Sequence, residues 1–216
     1  MVKLLNSKLR SGQGLLEGLV AIGVLVTGLV SVVTLTTSNL AASQDSGYRL
    51  TAVNLAREGV EVVRSVRDGN WLKGRMDEAG ASSNSWDVGL VGSDPADTTA
   101  VPVLDPATME WVVDFGGDAI IDEASVMVRD QGLYQQHVPR STSGYPTPFR
   151  RLLTLYPICQ DNVTGKEEYQ YKQCPAGYTK IGLSVLSAVL WNSGSSRARS
   201  VTIEDRLYNW RFSPAP

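Results

Sequence analysis

The chain has 216 residues, with 20 Lys and Arg against 22 Asp and Glu, two cysteines and one histidine, for a formal charge of −2. This slightly acidic balance argues against general affinity for nucleic-acid phosphate. A hydrolytic triad would have to use the single histidine, His137, yet no G-x-S-x-G elbow supplies its serine and no G-x-x-x-x-G-K-S/T phosphate loop is present, so neither an enzyme nor a cofactor is expected.

The first element is apolar. Lys3, Lys8 and Arg10 precede the segment RSGQGLLEGLVAIGVLV, and after Glu17 no charge occurs through Gln44. Gly18–Thr37 is a twenty-residue uncharged run of Val, Leu, Ile and Gly. As an α-helix at about 1.5 Å per residue it spans about 30 Å, the hydrocarbon thickness of a bilayer, which places a transmembrane segment at about residues 15–37. Basic residues on its N-terminal side alone keep that end cytoplasmic and send the remainder across, giving a single-pass membrane protein.

Three readings of this start compete. A secretory signal has a shorter apolar stretch and an A-x-A-like site after it, but here Leu40 occupies a position of Leu40-Ala41-Ala42-Ser43 that wants a small side chain. A plain uncleaved anchor explains the length but leaves Gly12 and Glu17 without a role. The third reading places a processing site between Gly12 and Gln13. A carboxylate inside a membrane helix costs roughly 2–3 kcal/mol at its centre and less near its end, so Glu17 calls for a partner. Cutting after Gly12 leaves a cationic amine on Gln13, one turn from Glu17. The positive end of the helix dipole also favours a carboxylate there, by about 0.3–1 kcal/mol.

Basic residues, Gly12, a hydrophobic stretch, and Glu17 as the fifth residue after the cut together resemble the prepilin leader of the type IV pilin family, which includes the type II secretion pseudopilins. The likeness is densest over residues 8–40. It implies that residues 1–12 are a leader, that a prepilin peptidase cuts after Gly12 and methylates the new amine, and that Glu17 pairs with the Gln13 amine of a neighbouring pilin subunit during assembly. Gln13 departs from the Phe usual there, and the proline that many pilin helices carry near the outer end of the membrane segment is missing; Thr34, Thr36, Gly23 and Gly28 are the weak points instead. Gly14 and Gly18 have the G-x-x-x-G spacing of close helix contacts, a weak signal alone. Loss of residues 1–12 takes the 20 basic residues to 17 against 22 acidic, a charge of −5.

Residues 45–68 keep a helical period, with Ala52, Leu55, Ala56, Val60, Val63 and Val66 near one face. Arg57 with Glu61, and Arg64 with Asp68, are spaced to pair. Gly69-Asn70 reads as the stop, so one long helix covers residues 13–68. Residues 69–216 form an exported, β-rich domain large enough for one core. Within it, 69–108 reads as loops with one short strand at Asp87–Val91. Met109–Asp114 and Ala119–Asp122 suggest a hairpin about Gly116-Gly117, and Val126–Arg129 with Leu133–Val138 suggest a second. Phe149–Tyr156 reads as a strand ended by Pro157, and Ile181–Trp191 with Ser200–Trp210 as a long hairpin. The expected class is α+β, an antiparallel sheet laid on the helix stripe, the ladle that the pilin likeness also implies.

Cys159 and Cys174 both fall in the exported part, where an oxidising compartment joins them as a disulfide worth about 3 kcal/mol by loop entropy. A metal at these cysteines lacks further ligands. Asn162 heads an N-x-T pattern. Arg150-Arg151 and the Arg197–Arg199 turn read as solvated charges, as does the group Asp114, Asp118, Asp122 and Glu123, whose spacing does not match an EF-hand. Trp71, Trp86, Trp111, Trp191 and Trp210 could stack on sugar, but the strand contexts of the last three favour core packing. Together these point to a structural minor pilin or pseudopilin of a filament. The alternative is a single-pass, surface-anchored binding domain that never polymerises.

Overall fold

The computed structural model describes residues 2–76, 86–92, 94, 97–105, 107–116, 119–130, 132–136, 144–168, 173–192 and 198–209, with side chains of the first helix from residue 13 to 73. Helix α1 runs from Val2 to Met76. It is unbroken across Gly23, Gly28, Thr34 and Thr36, and it passes the expected stop at Gly69-Asn70 because the Asn70 side chain donates outward, to the carbonyls of Trp86 and Val88, and so leaves its own turn intact. The chain divides into two compact units, residues 1–47 and residues 48–216.

The first unit is the helical segment up to Gly47. Every described side chain from Gln13 to Gln44 is exposed. This helix is long and apolar enough to cross a membrane, with a mean hydropathy of 2.4 over its best 18-residue window.

The second unit is α+β. Its strands are β1 (Thr99–Leu104), β2 (Trp111–Asp114), β3 (Val126–Asp130), β4 (Leu133–Gln135), β5 (Tyr145–Asp161), β6 (Glu167–Glu168), β7 (Tyr178–Asn192) and β8 (Ala198–Tyr208). All pairings are antiparallel, and β5 is the hub. One flank of β5 is taken by β7, which carries β8 on its far side. The other flank is shared in succession by β3 with β4, β1 with β2, and β6.

Two expectations for the first half of this domain give way. Asp87–Val91 forms a turn, and Ala119–Asp122 leads through a turn into a short 3-10 helix, Glu123–Ser125. β2 pairs instead with β1, a strand inside the region read as loops. The hairpins β3–β4 and β7–β8 form as expected.

Pro157 does not end β5, which continues to Asp161. The N–H of Leu155 donates to Thr98 on the β1 flank, and by the two-residue period of a strand the nitrogen of Pro157 faces the same way. There β1 pairs only with Leu153 and Thr154, while β6 begins at Cys159. The missing N–H thus falls in a gap between two short strands, where no ladder bond is lost.

The face of the sheet toward α1 is built from alternate residues: Phe149, Arg151, Leu153 and Leu155 of β5, and Leu183, Val185, Ser187, Val189 and Trp191 of β7. Opposite them lie Ala52, Leu55, Ala56, Val60, Val62 and Val63 of the helix, all buried, with Val66 half-buried. Val62, Gly59 and Trp71 are buried on the helix beyond the expected stripe. Trp71 and Trp191 are buried, Trp86 and Trp111 pack partly against the core, and Trp210 lies outside the described residues.

Candidate functional site

The residues singled out for processing and assembly sit in the first unit. Gly12 and Gln13 are consecutive helical positions of α1, and Gln13 and Glu17 share one face a turn apart, about 6 Å along the axis. Glu17 is exposed, and among the described residues it has no ion pair or hydrogen bond. Its nearest acidic or basic successor in the chain is Asp45. A carboxylate placed this way, ahead of 27 uncharged residues, can serve as an acceptor for a cation brought from outside its own helix.

The polar side chains within the apolar run are satisfied internally. Thr27 donates to the carbonyls of Gly23 and Val24, Ser31 to Thr27, Thr34 to Val30, Thr36 to Val32 and Thr37 to Thr34, at 2.8–3.0 Å. Back-bonding of this kind lets hydroxyls enter a medium without water. Between residues 18 and 37 every Thr and Ser hydroxyl is bonded to the helix backbone, whereas the Glu17 carboxylate just ahead of them has no partner among the described residues.

The disulfide joins Cys159, at the core end of β5, to Cys174, with Cα atoms 5.5 Å apart. Inside the loop it closes, Asp161 Oδ1 accepts from the backbone N–H groups of Val163 and Thr164 at 2.7 and 3.1 Å, and Gly165 takes a φ of 70°. These bonds hold the Asp161 carboxyl below the usual carboxylate range. Asn162 Oδ1 accepts from Thr179 Oγ1 at 2.7 Å, so the N-x-T segment is an exposed turn tied to β7.

Arg150-Arg151 is not a pair of solvated charges. Arg150 Nη1 donates to the carbonyls of Ile121 and Asp122, fastening the turn before the 3-10 helix. Arg151 is fully buried, because its position on β5 aims it at the helix. Its Nε donates to Gln136 Oε1 at 2.8 Å and its Nη1 to the carbonyl of Leu55 at 3.1 Å, with Glu58 3.7 Å away. Buried Gln136 completes the network by donating to the carbonyl of Arg151 itself. No signal in composition distinguishes Arg151 from Arg150; only the strand's alternation, counted from Phe149, would have turned it inward.

Charge pairing on the helix also differs from the expected spacing. Arg64 bonds Glu61 and reaches Asp205 of β8, and Arg67 takes Asp68. Glu61 and Asp68 are therefore engaged by closer partners than Arg57 and Arg64 respectively. His137, Asp118 and Arg197 lie outside the described residues. Among the described residues, no group of three or more His, Cys, Asp or Glu side chains is arranged to hold a metal.

No protein-family profile matches the chain, and comparison with curated proteins and with solved structures finds no match.

Proposed function

We propose that this chain is a structural subunit of a type IV pilus-like filament, of the minor pilin or pseudopilin kind. In this reading it is inserted in the cytoplasmic membrane with its N-terminus inside, trimmed between Gly12 and Gln13 by a prepilin peptidase, and drawn into an extracellular or periplasmic filament through α1. The observation that carries the proposal is Glu17: a single exposed carboxylate, five residues after a glycine, at the entrance to an uncharged run whose Thr and Ser hydroxyls from 27 to 37 bond to the helix backbone. In low dielectric, the Gln13 amine of an adjoining subunit and Glu17 relieve each other's burial cost. Their pairing also fixes axial register, since an ion pair in lipid tolerates little slip. The long helix lying on an antiparallel sheet supports the same reading, as does the engagement of the described Cys159 and Cys174 in a disulfide suited to an exported domain.

The test is the mass of the native N-terminus. A chain beginning at Gln13 with one added methyl is expected, and replacement of Gly12 by a bulky residue should leave the precursor at full length. Shortening by twelve residues despite that replacement overturns the site, and a mature protein retaining residues 1–12 returns the chain to the non-polymerising anchor.

A further inference from the structure

A cleft of about 380 Å³ opens beside the disulfide, between the turn at residues 86–91, β5 and β7. Its floor is hydrocarbon: Leu90, Leu155 and Leu183 are each at least nine-tenths buried and present side chains from three separate elements. Its polar lining combines neutral Thr98, Gln173 and Tyr178 with an unbalanced set of charges. Lys180 is paired with Asp87 at 2.5 Å, with their side chains 25% and 16% exposed, and its ammonium also sits 5.4 Å from the centre of the Trp86 ring. The remaining charge on the lining is Asp97, for which no ion pair exists among the described residues. Three charges thus sum to −1 above an apolar floor.

This combination selects by chemistry. A sugar could bond Thr98, Gln173 and Tyr178, but it would press hydroxyls against the three leucines and leave the Asp97 carboxylate without a cation. An anion would face Asp97 and would have to draw Lys180 away from Asp87 and Trp86. A cation without an apolar body would gain nothing from the floor. We propose that the cleft binds a primary ammonium on a short unbranched apolar stem, the chemistry shared by a lysine side chain and a free straight-chain amine. Leu90, Leu155 and Leu183 receive the methylenes and Asp97 the charge. The volume falls in the range typical of small-ligand clefts, and the rigid Asp87–Lys180 pair forms a wall that needs no rearrangement. The inference stands apart from the filament reading, since every residue it uses lies in the second unit.

The experiment is a titration of the full-length chain in detergent micelles, with leucine methyl groups followed by NMR. n-Pentylammonium should move the methyls of Leu90, Leu155 and Leu183 saturably. 1-Pentanol should bind about three- to fivefold more weakly, the factor that one half-exposed charge pair supplies, and Asp97→Asn should weaken pentylammonium by about the same factor. Glu123→Gln, an exposed acid on the 3-10 helix, should change nothing. Nα-acetyl-lysine N-methylamide separates the two sources: saturable binding at the same methyls assigns the site to protein side chains, and its exclusion while pentylammonium binds assigns it to free amines. Equal affinity for amine and alcohol overturns the proposal. So does tighter binding of pentanoate, an unaltered affinity in Asp97→Asn, or the absence of shifts at the three leucines.

Discussion

Arg151 is the residue on which helix and sheet agree. Burial draws its guanidinium pKa well down, to about 10, and the charge of Glu58, 3.7 Å away, pulls it back up. It stays charged at neutral pH, held by two hydrogen bonds and Glu58, while its Nη2 has no hydrogen-bond partner among the described residues. Arg151→Ala leaves the buried Oε1 of Gln136 without its donor, removes the second hydrogen bond to the Leu55 carbonyl and opens a cavity, so a loss of about 2–4 kcal/mol is expected by denaturant unfolding. An effect under about 0.5 kcal/mol, the size of an ordinary surface substitution, would show that the network contributes little. Asp161 gives the pH dependence. Its folded pKa lies below the unfolded value of about 3.9, so it stabilises the turn above that value and the stabilisation disappears as pH falls through the folded pKa. Protection of the Val163 and Thr164 amides from hydrogen exchange should therefore hold from neutrality to about pH 4 and fall only at more acid values. Loss of protection between pH 5 and 7 would contradict the assignment.

At the scale of elements, α1 can approach the sheet because Gly59 lies over the cross-strand pair Leu153 and Ser187. A Cβ there would stand 2.5 Å from Ser187 Oγ and 2.9 Å from Leu153 Cδ2. Gly59→Ala should cost about 1–3 kcal/mol by overpacking despite its better helix propensity. Ser187 Oγ is buried and has no hydrogen-bond partner among the described residues, so Ser187→Ala alone should be close to neutral. In combination it should recover much of the loss, and strict additivity in the double-mutant cycle would refute the close contact. The same elements show what could be read from the chain. The helix stripe and the hairpins β3–β4 and β7–β8 follow from local period and turn chemistry. β1 was hidden because its pairing with β5 covers only Thr99 and Ala100, too short to impress a pattern, and its other partner is the four-residue β2. Pro157 misled because the rule against proline in a strand concerns the flank its nitrogen faces, and that flank is set by tertiary pairing.

For the whole molecule, the long apolar helix was legible, since an uncharged run of that length shows in composition alone. The end of α1 was not, because Asn70 finds its partners 16 and 18 residues further on. Glu17→Ala should leave membrane insertion and trimming intact while sharply lowering incorporation into filaments, measured as the sheared fraction relative to the membrane fraction. Wild-type incorporation of that variant would remove the ion pair from the proposal.

The central position of β5 carries a consequence for biosynthesis. β1, β3, β6 and β7 all require it as a template, and it is completed only at Asp161. A growing chain has therefore delivered the entire greasy stripe of residues 52–66 long before any surface exists to cover it. Such dependence on distant pairing slows folding and prolongs exposure to aggregation and proteolysis. Chains halted before residue 145 should be degraded rapidly, whereas those extending past β7 should resist proteases.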